Sequence, residues 1–201
     1  MTSTQEFLLR TFPDGGFFVE AGAHDGVGDS QTLALEQAGW HGLCVEPSSA
    51  FAGLKASRRC KVDGRVLWRS TGMVVTFREM AGERVELSGI VQTFGDDWDR
   101  ESHPHEDRKV ITMSLVDLLR EHEAPAKVEF LCLDTEGSEF DILGMHDFKQ
   151  FRFLTLLVEH NGNVQNRMWT KDLLESKGCV RLWDDGTNGF FADASLVEAG
   201  K

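Results

Sequence analysis

The chain has 201 residues, 41% of them hydrophobic and 27% charged, and a formal charge of −12. A surface this negative repels phosphate backbones and acidic membranes, so neither nucleic acid nor a membrane is an expected partner. No apolar run approaches the ~18 residues needed to cross a bilayer, and the length suits one domain over residues 1–201, with no need of disulfides or a structural metal.

The opening "MTSTQEFLLRTFPDGG" lacks the basic start and long apolar core of a secretory leader, and residues 1–14 read as an N-terminal extension. Cys44, Cys60, Cys132 and Cys179 are scattered with no C-x-x-C, and are expected to be free thiols of a cytoplasmic protein. "GFFVEAG" (16–22) predicts a first strand, and "SQTLALEQAGW" a helix capped by Ser30 and stopped near Gly39. "GLCVEP" (42–47) follows as a second strand, "SSAFAGLKASR" as a helix capped by Ser48 or Ser49, and "CKVDGRVLW" (60–68) as a third strand.

The rhythm then changes. "GMVVTFREMAGERVELSG" (72–89) predicts an antiparallel hairpin turning at "AGE". The acidic stretch 93–108, broken by Pro104, predicts an exposed loop that could serve as a lid with Trp98 as its apolar anchor. "SLVDLLREHE" (114–123) has a capping box, Ser114 with Asp117, and Leu115, Leu118 and Leu119 on one face. "VEFLCLDTEGSE" (128–139) predicts a buried strand, with Ser138 and Asp141 as a second capping box; "FLTLLVEHNG" (153–162) predicts another. The tail predicts a helix and then a hairpin turning at "DDGTNG". Alternation of apolar strands with helices predicts a doubly wound, mostly parallel α/β sheet ending in an antiparallel hairpin.

Ligands of such sheets bind beyond the carboxyl ends of the strands, where Glu20, Glu46, Asp134, Glu136 and Glu159 all fall. The first loop, Gly22-Ala23-His24-Asp25-Gly26-Val27-Gly28, departs from G-x-G-x-x-G, because His24 stands where a second glycine would admit a pyrophosphate. Glu20 and Asp25 flank it, and two carboxylates beside a pyrophosphate would repel it. S-adenosylmethionine has no phosphate and carries a sulfonium and an ammonium. Glu20 is therefore expected at the amino group, the loop backbone along the ligand, the helix start at Ser30 facing its carboxylate, and Glu46, followed by Pro47, on the ribose hydroxyls.

Two alternatives stand beside this one. A nicotinamide-dependent oxidoreductase would share Glu46 but is disfavoured by Glu20, the glycine spacing and the absence of tyrosine. A cofactor-binding or interaction module could keep the fold without catalysis. A hydroxyl acceptor must lose a proton as it attacks, and Asp134, Glu136, Glu159 and His160 are the candidate bases, Asp134 first. Glu139 and Asp141 read as helix N-terminal acids. Asp134 with Glu159 or Asn161 has a make-up that would suit Mg²⁺, but no metal is expected.

"FFVEAGAHDGVGDSQTLALEQAGWHGLCVEP", "RVELSGIVQTF", "SLVDLL", "EFLCLDTEGSEFDIL" and "LTLLVEHNG" together resemble the FkbM family of S-adenosylmethionine-dependent methyltransferases, from about Gly16 to Asn161. The resemblance implies a class I, Rossmann-like methyltransferase fold. It implies cofactor contacts at Glu20, Gly22, His24, Asp25, Gly26, Ser30 and Glu46, with Ala23 and Pro47 beside them. Adenine-side contacts are implied near Asp63 and Gly64, and a further contact near Ser88 and Gly89; Asp134 is counted with both cofactor and acceptor. The implied activity is methylation of a hydroxyl on a sugar, polyketide or related small molecule.

Overall fold

The computed structural model describes residues 3–94 and 98–198, with the side chains of Ser3, Trp98, Asp99 and Glu198 outside that description. In chain order its elements are α1 (Ser3–Thr11), β1 (Phe17–Ala21), α2 (Leu33–Gln37), β2 (His41–Val45), α3 (Phe51–Ser57), β3 (Lys61–Asp63), β4 (Val66–Trp68), β5 (Val74–Met80), β6 (Gly89–Ile90), α4 (Trp98–Ser102), β7 (His105–Ser114), α5 (Leu115–Glu121), β8 (Lys127–Leu133), α6 (Glu139–Gly144), β9 (Arg152–Glu159), α7 (Val164–Ser176), β10 (Cys179–Asp184), β11 (Asn188–Asp193) and α8 (Ala194–Glu198).

Seven strands form the main sheet in the order β10-β11-β9-β8-β1-β2-β3. The strands from β3 to β9 run parallel, β11 pairs antiparallel with β9, and β10 antiparallel with β11. A parallel sheet must be covered on both faces, and side-chain alternation along each strand supplies both cores. Val19, Leu43, Leu131 and Leu156 pack with Leu118 of α5, Ile142 of α6 and Leu174 of α7. Their neighbours Phe18, Cys44, Phe130 and Leu157 pack with Leu8 of α1, Leu35 of α2 and Leu54 of α3. Helices on both faces, and the reversal of strand order at β1, make this a Rossmann-like, class I arrangement. The N-terminal extension is thus a helix seated on the sheet, with Phe7 edge-on to Phe190 at 5.5 Å.

Three expectations are corrected. Residues 60–68 do not form one strand: the chain breaks at Gly64-Arg65, β3 stays in the main sheet and β4 joins a second sheet ordered β4-β7-β5-β6. The expected hairpin over 72–89 returns only as the two-residue β6, after a 3₁₀ turn at Gly82–Leu87, and the long partner of β5 is β7. The expected loop over 93–108 holds α4, and its last four residues begin β7. There Arg78 stands opposite Asp107 in register and pairs with it at 2.8 Å, one of the opposite-charge pairs that pin such strands. Residues 95–97 and the Trp98 side chain, the proposed lid tip and anchor, lie outside the described residues.

The Ser114 cap forms as expected, accepting from Asp117 N at 3.1 Å. The second capping box does not. Ser138 Oγ bonds to Thr135 Oγ1 at 2.8 Å, and Glu139 instead accepts from Thr135 N and Gly137 N.

Candidate active site

The carboxyl ends of β1, β2 and β8 open into a cavity of about 420 Å³, walled on its other side by Phe77, Gly89 and Ile90 of the second sheet and by Ser88 just before β6. Glu20, Gly22, Ala23, His24, Ser30, Glu46, Pro47, Asp134, Glu136 and Ser88 all line it.

Glu20 lines the cavity but does not offer it a free charge. Its carboxylate accepts from Ser30 Oγ at 2.9 Å, Gln31 N at 2.6 Å and Thr32 Oγ1 at 2.5 Å, and faces the Arg58 guanidinium at 3.4 Å. Arg58, its side chain fully buried, also donates to Ser30 Oγ, Thr32 Oγ1, the Gly26 carbonyl and Glu36. The premise that Glu20 greets a bare cation is therefore corrected: the acid folds the loop over an internal arginine. A carboxylate at the end of a buried strand needs such a partner, and Arg58, set at the end of α3, was the residue to look for. Ser30 completes the network by accepting from Leu33 N at 3.1 Å, which caps the start of α2.

Glu46 stands differently. It is 7% exposed, each carboxylate oxygen takes one backbone N–H (His24 N at 2.9 Å, Ser48 N at 2.8 Å), and each keeps acceptor capacity toward the cavity. The loop reaches it through tight backbone. Gly22 and Ala23 both donate to the Val45 carbonyl at 3.0 Å, and Gly22 has φ +82° with the Asp134 carbonyl 1.6 Å from where a Cβ would stand, so only glycine fits. His24, at φ +49°, lines the cavity and buries an Nε2 that has no hydrogen-bond partner among the described residues.

Four expected contacts lie off the cavity. Asp25 Oδ1 accepts from Val27 N and Gly28 N at 2.8 and 2.9 Å, bonds that hold its carboxyl below the usual range and shape the loop. Gly26, at φ +77°, leaves room for Arg58, whose Cγ would sit 2.6 Å from an added Cβ. Asp63 turns away to Arg65 at 2.6 Å and His122 at 2.7 Å; burial would raise its pKa, but these partners outweigh it and hold it at about 2. Gly64 packs near Phe51. The wall expected from Asp63-Gly64 is built instead by Arg65, Val66 and Leu67, the next residues along.

At the β8 and β9 ends, Asp134, Glu136 and Glu159 each bring a carboxylate oxygen within 4.8 Å of the others. Asp134 and Glu136 line the cavity. Glu136, at φ +60°, is held by a charge-assisted bond from Arg100 Nη2, and the guanidinium stacks over Phe94 at 4.3 Å. Asn161, at φ +48°, donates from Nδ2 to Glu159 at 2.8 Å and to Glu136 at 3.3 Å. Burial drives the three pKa values upward. Asp134 is raised, Glu136 is pushed to about 7 against the pull of Arg100, and Glu159 is pushed to about 10 by burial and by its hydrogen bond with Asp134. Near neutral pH the Asp134–Glu159 pair shares a proton, as close carboxyls do. Arg100 was not legible as a site residue, since it lies in the stretch 93–108 that reads as an exposed loop; Asn161, read beside Asp134 and Glu159 as a group that would suit Mg²⁺, donates here to Glu159 and Glu136.

His160 is corrected out of the site. It is 5% exposed, does not line the cavity, lies 3.6 Å from Asp184, and burial lowers its pKa.

The doubly wound sheet, with a cavity at its switch point that presents carboxylates and a tight glycine loop, has the Rossmann-like arrangement of class I methyltransferases. The methyltransferase FkbM domain matches residues 20–183, and the chain belongs to that family. Among solved structures, a Pyrococcus horikoshii protein described as a candidate RNA methyltransferase is similar at 12% identity and a TM-score of 0.45, over 94% of this chain and 81% of that one. No curated protein matches.

Proposed function

We propose that this single-domain methyltransferase uses S-adenosylmethionine to methylate a hydroxyl of a small molecule. The observation that carries the reading is one cavity with Glu46 on the β2 wall and Asp134 and Glu136 on the β8 wall. The chemistry of the donor set fits the cofactor: Glu46 has acceptor capacity for paired ribose hydroxyls, and His24 Nε2 is a buried polar atom in want of a partner. When bound, S-adenosylmethionine supplies an electrophilic methyl group on a sulfonium. The chain's residues do the rest. The Gly22–His24 backbone and the walls from Val66, Phe77 and Ile90 hold the adenosyl part and exclude water. Glu136, poised near neutrality, takes the proton of the acceptor hydroxyl, an assistance worth roughly 10²–10⁴-fold. Asp134, sharing a proton with Glu159, orients that hydroxyl.

The charge of −12 supports a small-molecule acceptor over a nucleic acid. Arg100 and Asn161 already engage Glu136 and Glu159, which favours proton sharing over a divalent ion in the carboxylate cluster.

Calorimetry tests the reading. S-adenosylhomocysteine is expected to bind at micromolar strength and Glu46→Ala to weaken it about tenfold or more. Tighter binding of NAD than of either sulfur ligand refutes it. Methyl release across sugar and phenolic acceptors, unchanged by EDTA, is the expected activity; cofactor binding with no turnover of any acceptor class would leave a binding module.

A further inference from the structure

A second cleft, of about 440 Å³, opens at the opposite end of the main sheet, where β1, β2 and β3 begin. His41, Arg59 and Lys61 line it with Trp40 and Cys60. Cys60 is half-buried there, and its Sγ lies 3.6 Å from the Sγ of Cys44, which is fully buried on β2. We infer that Cys44 and Cys60 are a thiol–disulfide exchange site, oxidised by a small carboxylate-bearing disulfide that enters through this cleft.

Three observations carry it. The sulfurs are already in contact at 3.6 Å, and because Cys44 stands opposite Val62, closing them to the ~2.05 Å of a disulfide draws on the backbone at Cys60, which precedes β3 and lies outside the strand ladder. The approach to Cys60 is electropositive and open, the setting in which thiols react with anionic disulfides; Glu36, the acid of the cleft, already holds the Arg58 side chain and the Arg59 and Cys60 amides. And the pair closes a ring with the network that folds the cofactor loop. Cys44 Sγ meets Glu20 at 3.8 Å and Thr32 Oγ1 at 3.9 Å, Glu20 meets Arg58, Arg58 meets Glu36, and Glu36 accepts from Cys60 N. The cleft reaches Cys60 and not the fully buried Cys44, whose thiol pKa is pushed up by its contact with Cys60, by burial and by the Glu20 charge, so Cys60 leads.

The Cys60 thiolate attacks one sulfur of the incoming disulfide, forming a mixed disulfide and releasing one thiolate. The Cys44 sulfur then attacks Cys60, forming the internal disulfide and expelling the second. The two cysteine protons end on the two released thiols, and two electrons pass from the protein to the small disulfide. Pulling Cys44 toward Cys60 takes its sulfur from Glu20 and Thr32 and so loosens the cofactor loop. Only this last consequence rests on the function proposed above.

The test is incubation of the full chain with oxidised glutathione, followed by alkylation, peptide mapping and calorimetry with S-adenosylhomocysteine. Expected are a mass loss of about 2 Da, a linked Cys44–Cys60 peptide, reversal by dithiothreitol, and arrest of Cys44→Ala at the glutathione adduct. The linked form should bind S-adenosylhomocysteine about fivefold more weakly, a coupling usual for groups in one network. A wild-type protein that stops at the adduct, or does not react, overturns the exchange site; a linked protein of unchanged affinity overturns its coupling to the cavity. Reduced protein that fails to bind S-adenosylhomocysteine would refute the proposed function while leaving the mapped disulfide standing.

Discussion

The Arg58 guanidinium lies 3.4 Å from the Glu20 carboxylate and 2.9 Å from that of Glu36, its side chain wholly out of solvent. One cation thus joins the end of β1, the end of α2 and the last turn of α3 beneath the cofactor loop. Removing it strands two carboxylates in the interior. Arg58→Met is expected to lose roughly 3–5 kcal/mol in urea unfolding. The double variant Glu20→Gln/Arg58→Met should lose less than the sum of the single changes, because the second change removes a charge the first has orphaned. Additive losses would show that the pair is not coupled.

His24 lines the cavity, its backbone N–H bonded to Glu46, and its buried Nε2 has no hydrogen-bond partner among the described residues. A ligand acceptor that satisfies this nitrogen would contribute one net hydrogen bond. His24→Ala is therefore expected to weaken S-adenosylhomocysteine binding by about three- to tenfold, the ~0.5–1.5 kcal/mol of such a bond, with little change in melting temperature. His24→Asn, which keeps a donor, should recover part of the loss. Isothermal titration of the three proteins decides it.

On the proposed mechanism, Glu136 sets the pH dependence. Burial raises its pKa to about 7, and the Arg100 charge works the other way. The base is competent only when ionised, so turnover is expected to rise with pH through about 7 and to level off above it. Glu136→Gln should remove that limb together with most activity. Arg100→Met withdraws the group that lowers the pKa, so its limb should move to higher pH. Initial rates from about pH 5 to about 9, with any acceptor that turns over, read out both.

The main sheet was legible because its strands are continuous apolar runs such as Phe130–Leu133, buried on both faces, and end in acids or glycine. Of the second sheet, only β5 and its antiparallel return to β6 were legible. β7 begins exposed and charged, just after Pro104, and is fixed by Arg78 opposite Asp107, 29 residues away in the chain. No local pattern announces that pairing. The same holds at the site: that Glu20 sits at a strand end is readable, but the sign of its surroundings depends on Arg58, 38 residues on. Asp63 likewise reads as a ligand acid until Arg65 and His122 are seen to claim it.

Glu159 carries a cost in stability with a definite sign. Burial and its bond to Asp134 raise its folded pKa to about 10, far above the ~4.3 of an unfolded glutamate. Between these values the folded state binds more protons than the unfolded, so stability falls as pH rises across that window. The contribution is harmless in acid and grows toward alkaline pH. Glu159→Gln keeps the side chain's shape and its capacity to donate to Asp134, but has nothing to ionise. The variant is expected to melt near the wild type at about pH 5 and several degrees above it at about pH 9. Scanning calorimetry at the two pH values checks this, and parallel pH dependence in the two proteins would show that Glu159 is ionised in the folded state near neutrality and shares no proton with Asp134.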